Sequence, residues 1–515
     1  MDTKALRQKI LDLAIRGKLV PQDPNDEPAE VLLERIREQK QQMFKEGKLK
    51  KKDIKNDTII FKGEDNLHYE KLQDGTVKCI EDEIPFEVPE GWAWCKLNDI
   101  YNFIDYRGAT PTKITNGIPL VTAKNVKSGY IDYTIDDYIS EEEFKERQQR
   151  GISKKGDILF TTEAPLGNAA LADMEKFSAG QRLITFQQYG SKNELINYVM
   201  LMFILSDFFQ QQLYVNKTGS TVAGIKAAIL KTLWIPVPPY NEQLRISNTL
   251  KSAINLIDSI SKNKEILSTS ISNTKSKILD LAIRGKIVPQ DPNDEPASVL
   301  LERIRAEKEE LIKQGKIKRD KKESVIFKGD DNSYYGIHLP DSWNWASLRE
   351  IALSISDGSH NPPPNNGSGI PLLSAANIND NSILMNEISR WITNEEWKIE
   401  NQRTNIEVGD VLLTIVGSIG RSAVVQNNNH FALQRSVAVI KPCLINPLYL
   451  MHIVQSPQIQ KWLTDNSKGT AQKGIYLNAL SLMIIPIPPL AEQARIVEHI
   501  HIAYKHLDLI SNALL

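Results

Sequence analysis

Residues 9–40 read KILDLAIRGKLVPQDPNDEPAEVLLERIREQK, and residues 277–308 read KILDLAIRGKIVPQDPNDEPASVLLERIRAEK. Twenty-eight of the 32 positions are identical, at an offset of 268 residues. Such an internal repeat has to be recognised first, because missing it would misassign the whole fold. The near-identity of these two segments predicts that the chain contains two copies of one module.

Weaker matches extend the repeat over most of the chain. All of them keep the same order, with offsets between 250 and 268 residues. The matched segments are PEGWAW (89–94) with PDSWNW (340–345), GIPLVTAKNV (117–126) with GIPLLSAANI (369–378), GDILF (156–160) with GDVLL (409–413), Gln181-Arg182 with Gln434-Arg435, Gly219 and Gly224-Ile225 with Gly469 and Gly474-Ile475, and IPVPPYNEQLRI (235–246) with IPIPPLAEQARI (485–496). We therefore interpret the whole module as duplicated.

The copies diverge between these matched segments. Residues 105–116, DYRGATPTKITN, stand opposite residues 356–368, SDGSHNPPPNNGS. One interpretation is that the near-identical parts meet the same partner twice, while the divergent parts meet different ligands. The alternative is that gene conversion has made one block uniform.

The segment after Pro239 has helical periodicity. It contains no proline or glycine before Gly285, and its apolar residues recur mainly at steps of four and three, as in a coiled-coil seam. We predict one helix over residues 241–284, about 65 Å long at ~1.5 Å per residue. The second copy repeats the pattern only from 491 to 515, and residues 1–18 continue it. We therefore expect the two terminal segments to form a second long helix, antiparallel to the first, in a pseudo-twofold, circularly permuted repeat.

The composition is that of an ordinary globular protein. The net charge of −1 excludes a uniformly basic surface, although local basic faces remain compatible with DNA binding. The three cysteines form no CxxC pair, so neither a zinc site nor a disulfide framework is indicated. The first residues do not resemble a signal peptide, and no apolar run approaches the length of a membrane span. We expect a soluble intracellular protein.

Catalytic motifs are incomplete throughout the sequence. Residues 361–364, Asn-Pro-Pro-Pro, lack the aromatic residue of an amino-methyltransferase motif, and residues 237–240, Val-Pro-Pro-Tyr, lack its amide or carboxylate. The sequence contains no GxxxxGK[ST] phosphate loop, no HxxxH or HExxH pair and no convincing nuclease cluster. We expect no catalytic residue, no metal site and no cofactor in this chain.

The combination of the tryptophan-rich segment, the GIPL segment, the Gly-Asp-hydrophobic strand, the IPxPPxxEQxRI motif and the permuted helical ends resembles the specificity subunit of Type I restriction-modification systems. The resemblance covers nearly the whole chain. It implies two target recognition domains of mixed α/β (α+β) fold, each reading half of a bipartite, asymmetric target in double-stranded DNA. The helical regions would recruit two adenine methyltransferase subunits and, through them, a restriction subunit. S-adenosylmethionine, ATP and Mg²⁺ would bind to those partner subunits in the prokaryotic cytoplasm, and this chain would be non-catalytic.

This resemblance gives the expected domain boundaries. They are an N-terminal helix (1–18), a partner-contacting extension (19–83), target recognition domain 1 (84–240), the central long helix (241–284), a second extension (285–338), target recognition domain 2 (339–490) and a C-terminal helix (491–515). The two extensions are longer than a minimal member of the family needs. We expect the apolar face of the helix in each extension to contact the methyltransferase, through Leu32, Leu33, Ile36, Leu300, Leu301 and Ile304. The basic tracts at 48–52 and 316–322 would either hold DNA phosphates or form solvated loops.

The residues that read DNA should be polar, lie on loops and belong to the divergent stretches. In the first copy the candidates are Arg107, Thr110, Thr112, Lys113, Lys124, Asn125, Arg182, Lys217, Ser220, Thr221 and Lys226. In the second they are Ser359, His360, Asn365, Asn366, Asn377, Arg421, Arg435, Lys468, Thr470, Gln472 and Lys473. The recurring Gln-Arg dipeptide suggests a shared role, either a phosphate contact or a framework ion pair. Four tryptophans, at 92, 94, 343 and 345, are expected in the core.

Two other functions compete with sequence-specific DNA recognition. The chain could be a non-enzymatic scaffold that binds proteins. A specificity module for a different methyltransferase or phage-defence system is a variant of the DNA-reading function. The chain could also be an enzyme with an unrecognised nuclease or methylase site, which predicts activity from the isolated chain. The specificity-subunit hypothesis predicts instead that methylation by the assembled complex follows one bipartite motif.

Overall fold

The computed structural model describes residues 2–54, 57–106, 110–189, 194–219, 223–319, 333–469 and 473–514. The chain divides into two compact units, Met1–Asn263 (unit 1) and Lys264–Leu515 (unit 2). Each unit has a mixed α/β architecture, as expected. Of the helices in these ranges, none is both long and apolar enough to cross a membrane.

Unit 1 contains most of the first copy. Its helices are α1 (Thr3–Ile15), α2 (Ala29–Lys45), α3 (Lys51–Ile54), α4 (Leu97–Ile100), α5 (Glu141–Arg147), α6 (Asn197–Ile204), α7 (Asp207–Val215), α8 (Ala227–Leu230) and the first part of α9 (Tyr240–Ile283). Its strands are β1 (Ile59–Lys62), β2 (His68–Lys71), β3 (Val77–Cys79), β4 (Ala93–Lys96), β5 (Tyr101–Asp105), β6 (Ile118–Val121), β7 (Tyr138–Ile139), β8 (Ile158–Thr161), β9 (Ala169–Leu171), β10 (Ser178–Ala179), β11 (Leu183–Gln188) and β12 (Trp234–Val237).

Unit 2 begins within α9 and repeats this order. Its further helices are α10 (Ala297–Lys313), α11 (Leu348–Ile351), α12 (Asn394–Thr404), α13 (Pro447–Val454), α14 (Pro457–Asp465), α15 (Leu477–Ser481) and α16 (Leu490–Ala513). Its strands are β13 (Ser333–Tyr334), β14 (Ile337–His338), β15 (Asn344–Ser347), β16 (Ala352–Asp357), β17 (Ile370–Leu373), β18 (Ile378–Asn379), β19 (Ser382–Ile383), β20 (Trp391–Ile392), β21 (Val411–Thr414), β22 (Ser422–Val424), β23 (Ala432–Leu433), β24 (Val437–Pro442) and β25 (Ile484–Ile487).

A four-stranded antiparallel sheet lies at the centre of each unit. Its strand order is β5-β11-β8-β9 in unit 1 and β16-β24-β21-β22 in unit 2. A second sheet, β10-β6-β7 or β20-β17-β23, combines one parallel and one antiparallel pairing. Strands β8 and β21 are buried along their whole length, which explains why both read as short runs of apolar residues with one threonine.

A two-stranded sheet joins the tryptophan-rich segment to the IPxPP segment in each unit. Trp94 lies opposite Pro236 in the β4–β12 pair, and Trp345 lies opposite Pro486 in the β15–β25 pair. The four tryptophans at 92, 94, 343 and 345 are all buried. Their predicted place in the core is confirmed.

The predicted helix over 241–284 is present as α9. Its first turns contribute Ile246 and Leu250 to the core of unit 1, where they join Leu11, Ala14 and Ile15 of α1. The corresponding positions in unit 2 are filled by the end of α9, which supplies Leu279, Ala282 and Ile283, and by the start of α16, which supplies Ile496 and Ile500. Each unit therefore closes its core with the end of one helix and the beginning of another.

The apolar face of α2 and of α10 packs against the core of its own unit. Leu32 and Ile36 are buried in the core of unit 1, and Leu300, Leu301 and Ile304 in that of unit 2. Leu33 is half-buried against the same core as Leu32. The prediction that these six side chains contact the methyltransferase is therefore wrong. The sequence shows that one face of the helix is apolar, but not which surface covers it.

Candidate nucleic-acid interface

Three loops meet at one end of the central sheet in each unit. In unit 1 they are residues 162–168 after β8, 180–182 before β11, and 216–219 with 223–226 after α7 (loop cluster 1). In unit 2 the corresponding residues 415–421, 434–436, and 466–469 with 473–476 form loop cluster 2. These loops contain many of the polar residues that the sequence singled out.

Backbone hydrogen bonds bring the loops together. In unit 1, the Ile225 amide donates to the Thr162 carbonyl at 3.0 Å, and the Thr162 amide donates to the Arg182 carbonyl at 3.0 Å. In unit 2, the Ile475 amide donates to the Ile415 carbonyl at 2.8 Å, and the Ile415 amide to the Ser436 carbonyl at 2.9 Å. The loop after α7 or α14, the loop after β8 or β21 and the turn before β11 or β24 thus form one continuous surface.

Two side chains anchor the loop after β8. The Thr161 hydroxyl donates to the Asn168 carbonyl at 3.1 Å and accepts from the Asn168 amide at 2.9 Å. The Gln210 side chain on α7 donates to the Gly167 carbonyl at 3.0 Å. Gly167 has φ +90°, a backbone conformation in which a side chain is strained, and an added Cβ would displace the Gln210 side-chain oxygen.

Unit 2 uses the same anchors. The Thr414 hydroxyl accepts from the Arg421 amide at 3.0 Å, and Gln460 donates to the Gly420 carbonyl at 2.9 Å. Gly420 has φ +99°, and an added Cβ would likewise displace the end of the Gln460 side chain. The ends of this loop are therefore fixed identically in both units, while its central residues differ.

Loop cluster 1 carries cations and one carboxylate. Arg182 and Lys226 are exposed, and the ammonium of Lys217 lies 3.4 Å from the centroid of the Tyr214 ring. The Arg182 guanidinium Nε lies 3.0 Å from Glu163 Oε1, with both side chains about half exposed. Thr162, Glu163, Gln181, Arg182, Thr218 and Lys226 line a shallow concave surface at this place. Glu163, Tyr214 and Thr218 were not among the sequence candidates, and a carboxylate in particular was not expected beside DNA phosphates.

Loop cluster 2 is more basic in character. Arg421, Arg435, Lys468 and Lys473 are all exposed. Among the described residues, none of these four cations is within 4.0 Å of a carboxylate oxygen, although Asp380 is near Arg421. Val416 stands where unit 1 has Glu163. These unpaired cations are suited to phosphate oxygens or base edges.

The strand register separates the two recurring arginines. Leu183 pairs with Thr161 in unit 1, and Val437 pairs with Thr414 in unit 2. In the strand alignment, Arg182 of unit 1 is therefore equivalent to Ser436 of unit 2. Gln181 of unit 1 is equivalent to Arg435 of unit 2. The two dipeptides are displaced by one residue, so the two arginines do not hold equivalent positions, and their shared role stays a prediction.

Other described candidates lie outside the loops of the two clusters, and one of them contacts loop cluster 1. Thr110 donates to Gln181 Oε1 at 3.0 Å and so joins loop cluster 1. The remaining exposed candidates outside the loop clusters have the following contacts: Thr112 through its amide with Glu143 at 3.0 Å, Lys113 with Asp137 at 2.7 Å, Lys124 through its carbonyl with Lys127 at 2.8 Å, His360 with Asp357 at 2.7 Å, Asn365 with the Trp391 amide at 3.0 Å and Asn366 with Glu396 at 3.0 Å. Arg107, Ser220, Thr221, Thr470 and Gln472 lie outside the described residues.

Three candidates are interior framework residues. The Asn125 amide donates to the Ile135 carbonyl at 2.8 Å, and Asn377 makes the same bond to the Glu387 carbonyl at 2.8 Å. Ser359 is buried, and its amide donates to the Leu433 carbonyl at 2.7 Å. The structure corrects their predicted role in DNA contact, because all three side chains are buried and those of Asn125 and Asn377 already hold loop carbonyls.

A buried carboxylate connects the near-identical segments in each unit. In unit 1, Glu242 accepts hydrogen bonds from Trp92 Nε1 at 2.9 Å and Gln22 Nε2 at 3.0 Å, while Arg245 pairs with Asp26 at 2.6 Å. Burial raises the pKa of Glu242, and these hydrogen bonds oppose that shift. We call this group of five residues junction 1.

Unit 2 contains the same arrangement. Glu492 accepts from Trp343 Nε1 at 2.9 Å and from Gln290 Nε2 at 2.6 Å, and Arg495 pairs with Asp294. We call this group junction 2. The QDPND and EQxR segments could be recognised in both copies of the sequence. That the two segments contact each other, although more than 200 residues separate them, could not. Part of the near-identity between the copies therefore has a structural reason.

Metal binding has no support in the described ranges, which contain no group of three or more His, Cys, Asp or Glu side chains able to hold a metal ion. Buried cysteines are also poor candidates for reactivity, since burial raises the pKa of Cys95 and raises that of Cys443 to about 11.

Comparison with known proteins gives one consistent family. The family described as "Type I restriction modification DNA specificity domain" matches residues 89–268 and 340–514. The EcoEI specificity subunit of Escherichia coli is 28% identical over 99% of this chain and 90% of its own length. The EcoAI specificity subunit of Escherichia coli is 30% identical over 73% of this chain and 67% of its own.

A solved structure shares the fold. It comes from a study of complex assembly and conformational transition of the type I R-M system, and it aligns with a TM-score of 0.55 at 18% identity. The alignment covers 84% of this chain and 94% of that one. Each family match begins at a tryptophan-rich segment, and the matches end within α9 and one residue after α16.

Proposed function

Because this chain belongs to the DNA specificity subunits of Type I restriction-modification systems, we propose that each unit reads one half of a bipartite DNA target through its loop cluster. One observation carries the proposal: the two loop clusters have the same backbone frame and different polar side chains. A shared frame with changed side chains fits two DNA sequences read in one manner, since bases are read by side-chain donors and acceptors.

The methyltransferase partners would bind twice, once at each copy of the repeated surface. The exposed part of the QDPNDEP loop is identical in both copies and includes Asp23 and Glu27 in unit 1 and Asp291 and Glu295 in unit 2. An identical acidic surface present twice fits two identical partners with basic complementary surfaces. Adenine methylation with S-adenosylmethionine and ATP-dependent cleavage would belong to those partner subunits.

The helices would hold the two reading units at a set separation. We propose that α9 packs as a coiled coil against a second helix made from both terminal segments, which is the circular permutation expected from the sequence. Such an arrangement would fix the length of the unread spacer in the DNA target, because half-site spacing follows the geometry of the reading protein.

Methylome sequencing tests the half-site assignment. The full chain is assembled with its adenine methyltransferase, and the modified positions are mapped by single-molecule sequencing. We expect one motif with two specified halves. The variant Gln181→Arg should change one half only, and Arg435→Gln the other half only, since these residues hold register-equivalent positions in the two loop clusters.

Two results would contradict the proposal. Methylation without a motif would remove the DNA-reading role itself. A change in both halves from either single variant would show that the units do not read separately.

A further inference from the structure

The Glu163–Arg182 ion pair does not suit a surface that binds only DNA phosphates. A carboxylate 3.0 Å from a guanidinium largely cancels its charge and repels the DNA backbone. Both side chains are about half exposed, so burial does not force the pairing. A pair with no net charge would contribute little to binding a polyanion in general.

The donors and acceptors of the pair match one type of base pair. In the major groove, guanine offers two acceptors, O6 and N7, which arginine contacts with two donors. Cytosine offers the N4 amino group, which a carboxylate accepts. A neighbouring guanidinium and carboxylate thus complement the edge of a single G·C pair.

The backbone fixes both residues of the pair close to each other. Arg182 lies in the turn that enters β11, and its carbonyl accepts the Thr162 amide at 3.0 Å. Glu163 follows Thr162 and forms a β-bridge with Gly224. The ion pair limits the orientations of the guanidinium before any ligand arrives, which lowers the entropic cost of a two-donor contact.

We propose that Arg182 and Glu163 together read one G·C base pair in the half-site of unit 1. This inference rests on the proposed function and adds the specificity-determining residues and the base pair that they select. Unit 2 has Ser436 and Val416 at these positions, so it lacks both groups and would not read a G·C pair in this way.

The test measures methylation of a DNA library by the complete complex. The full chain with its methyltransferase subunit acts on plasmids in which the half-site of unit 1 is randomised. Arg182→Ser and Glu163→Val give unit 1 the residues of unit 2. We expect each variant to lose discrimination at one and the same G·C position, on the order of 10- to 100-fold, while all other positions of the motif are kept.

Arg182→Lys separates base reading from phosphate binding. Lysine keeps the positive charge but lacks the two-donor fork, so base reading should not be restored. If Arg182 instead holds a phosphate, Arg182→Lys will restore methylation and Arg182→Ser will weaken all sequences equally. That result would overturn the inference and leave the proposed function intact.

A matched control pair lies at the opposite end of β8. Lys155 and Glu175 form an exposed ion pair at 2.8 Å, and Lys155→Ser and Glu175→Val should leave the motif unchanged. The inference also fails if the two reading variants relax different positions, relax an A·T pair or relax none. Methylation without any motif by the unaltered complex would overturn the proposed function and this inference together.

Discussion

Junctions 1 and 2 match contact for contact, whereas loop clusters 1 and 2 share a backbone frame and differ in their side chains. At both junctions a tryptophan and a glutamine donate to a buried glutamate on a helix start. At the loop clusters, an ion pair in one unit is replaced by valine and serine in the other. Interior contacts define the fold of both units, and the chemistry of the exposed loops can change without affecting them.

The difference also concerns electrostatics. Loop cluster 1 neutralises Arg182 with Glu163, while the four described cations of loop cluster 2 have no such carboxylate within ion-pair distance. We expect DNA binding by unit 2 to depend more strongly on salt, because each phosphate contact releases counterions.

Removing the junction tryptophan should have the largest effect and should test whether the junctions are equivalent. Trp343→Ala leaves a cavity and removes one donor to Glu492, so the unfolding free energy of unit 2 should fall by about 3–5 kcal/mol. Trp92→Ala should cost unit 1 a similar amount. Calorimetry on each variant would measure both losses. A large loss in one unit and a negligible loss in the other would refute the equivalence.

A glycine in each unit tests how closely the junctions are packed. Gly285 has φ +65°, and a side chain there would overlap Pro340. We expect Gly285→Ala to cost about 2–3 kcal/mol, from backbone strain plus steric overlap. Gly17, at φ +65° beside Pro89, should behave in the same way.

The control for this overlap is Gly315→Ala. Gly315 has φ +69° but no atom within 4 Å of an added side chain, so only the strain of about 1 kcal/mol should remain. Chemical denaturation of the three variants would compare these costs. Equal losses at Gly285 and Gly315 would show that the close packing beside Pro340 has no energetic role.

Acid should destabilise unit 2 through a histidine that unit 1 lacks. Burial lowers the pKa of His452 to about 4, below its usual value of 6.5, and the corresponding residue of unit 1 is Met202. The unfolded chain therefore binds this proton more tightly, and the stability present above pH 6.5 is lost as the pH falls towards 4. At pH 5 the loss is about 2 kcal/mol.

His452→Met provides the matched variant. It should remove this loss between pH 7 and pH 5, as measured by thermal unfolding at both pH values. Met202→His should introduce a similar loss into unit 1. An unchanged pH dependence in His452→Met would mean that His452 binds its proton equally well in the folded and the unfolded chain between pH 7 and pH 5.

The smallest effect on stability is expected at Arg421, which is exposed in loop cluster 2 and corresponds to Asn168. Arg421→Asn should change the unfolding free energy by no more than about 0.5 kcal/mol. If Arg421 contacts a phosphate, the slope of log affinity against log salt should fall by about 0.9. Titration of the assembled complex with target DNA at several salt concentrations measures this slope. No change would exclude a phosphate contact by Arg421.

The repeat and the long helix could be predicted because both leave a periodic signal in the sequence. The segment after Pro239 lacks helix breakers, and the structure has α9 from Tyr240 to Ile283. The surface that packs against α2 could not be predicted. Leu32 and Ile36 form the same apolar stripe whether a partner or the chain itself packs against it. Local sequence patterns indicate periodicity and exposure, whereas contacts between distant segments can be identified only once the fold is known.

The candidate site was predicted only in outline. The sequence indicated the right loops but also selected Asn125 and Asn377, whose side chains turn inward to carbonyl groups. It aligned Arg182 with Arg435 by matching letters, whereas strand pairing displaces them by one residue. A shift of this kind leaves no trace in composition or periodicity.

The anchored loop after β8 has a consequence for protein engineering. Its ends are held by Thr161 and by the Gln210 contact with Gly167, and no described hydrogen bond of these anchors involves the side chain of Glu163. Substitutions at residue 163 can therefore be screened in libraries without disturbing these anchors, whereas the corresponding Val416 of unit 2 packs against the core. Unit 1 thus offers a mutable position on a fixed support, from which variants with new target preferences can be screened directly.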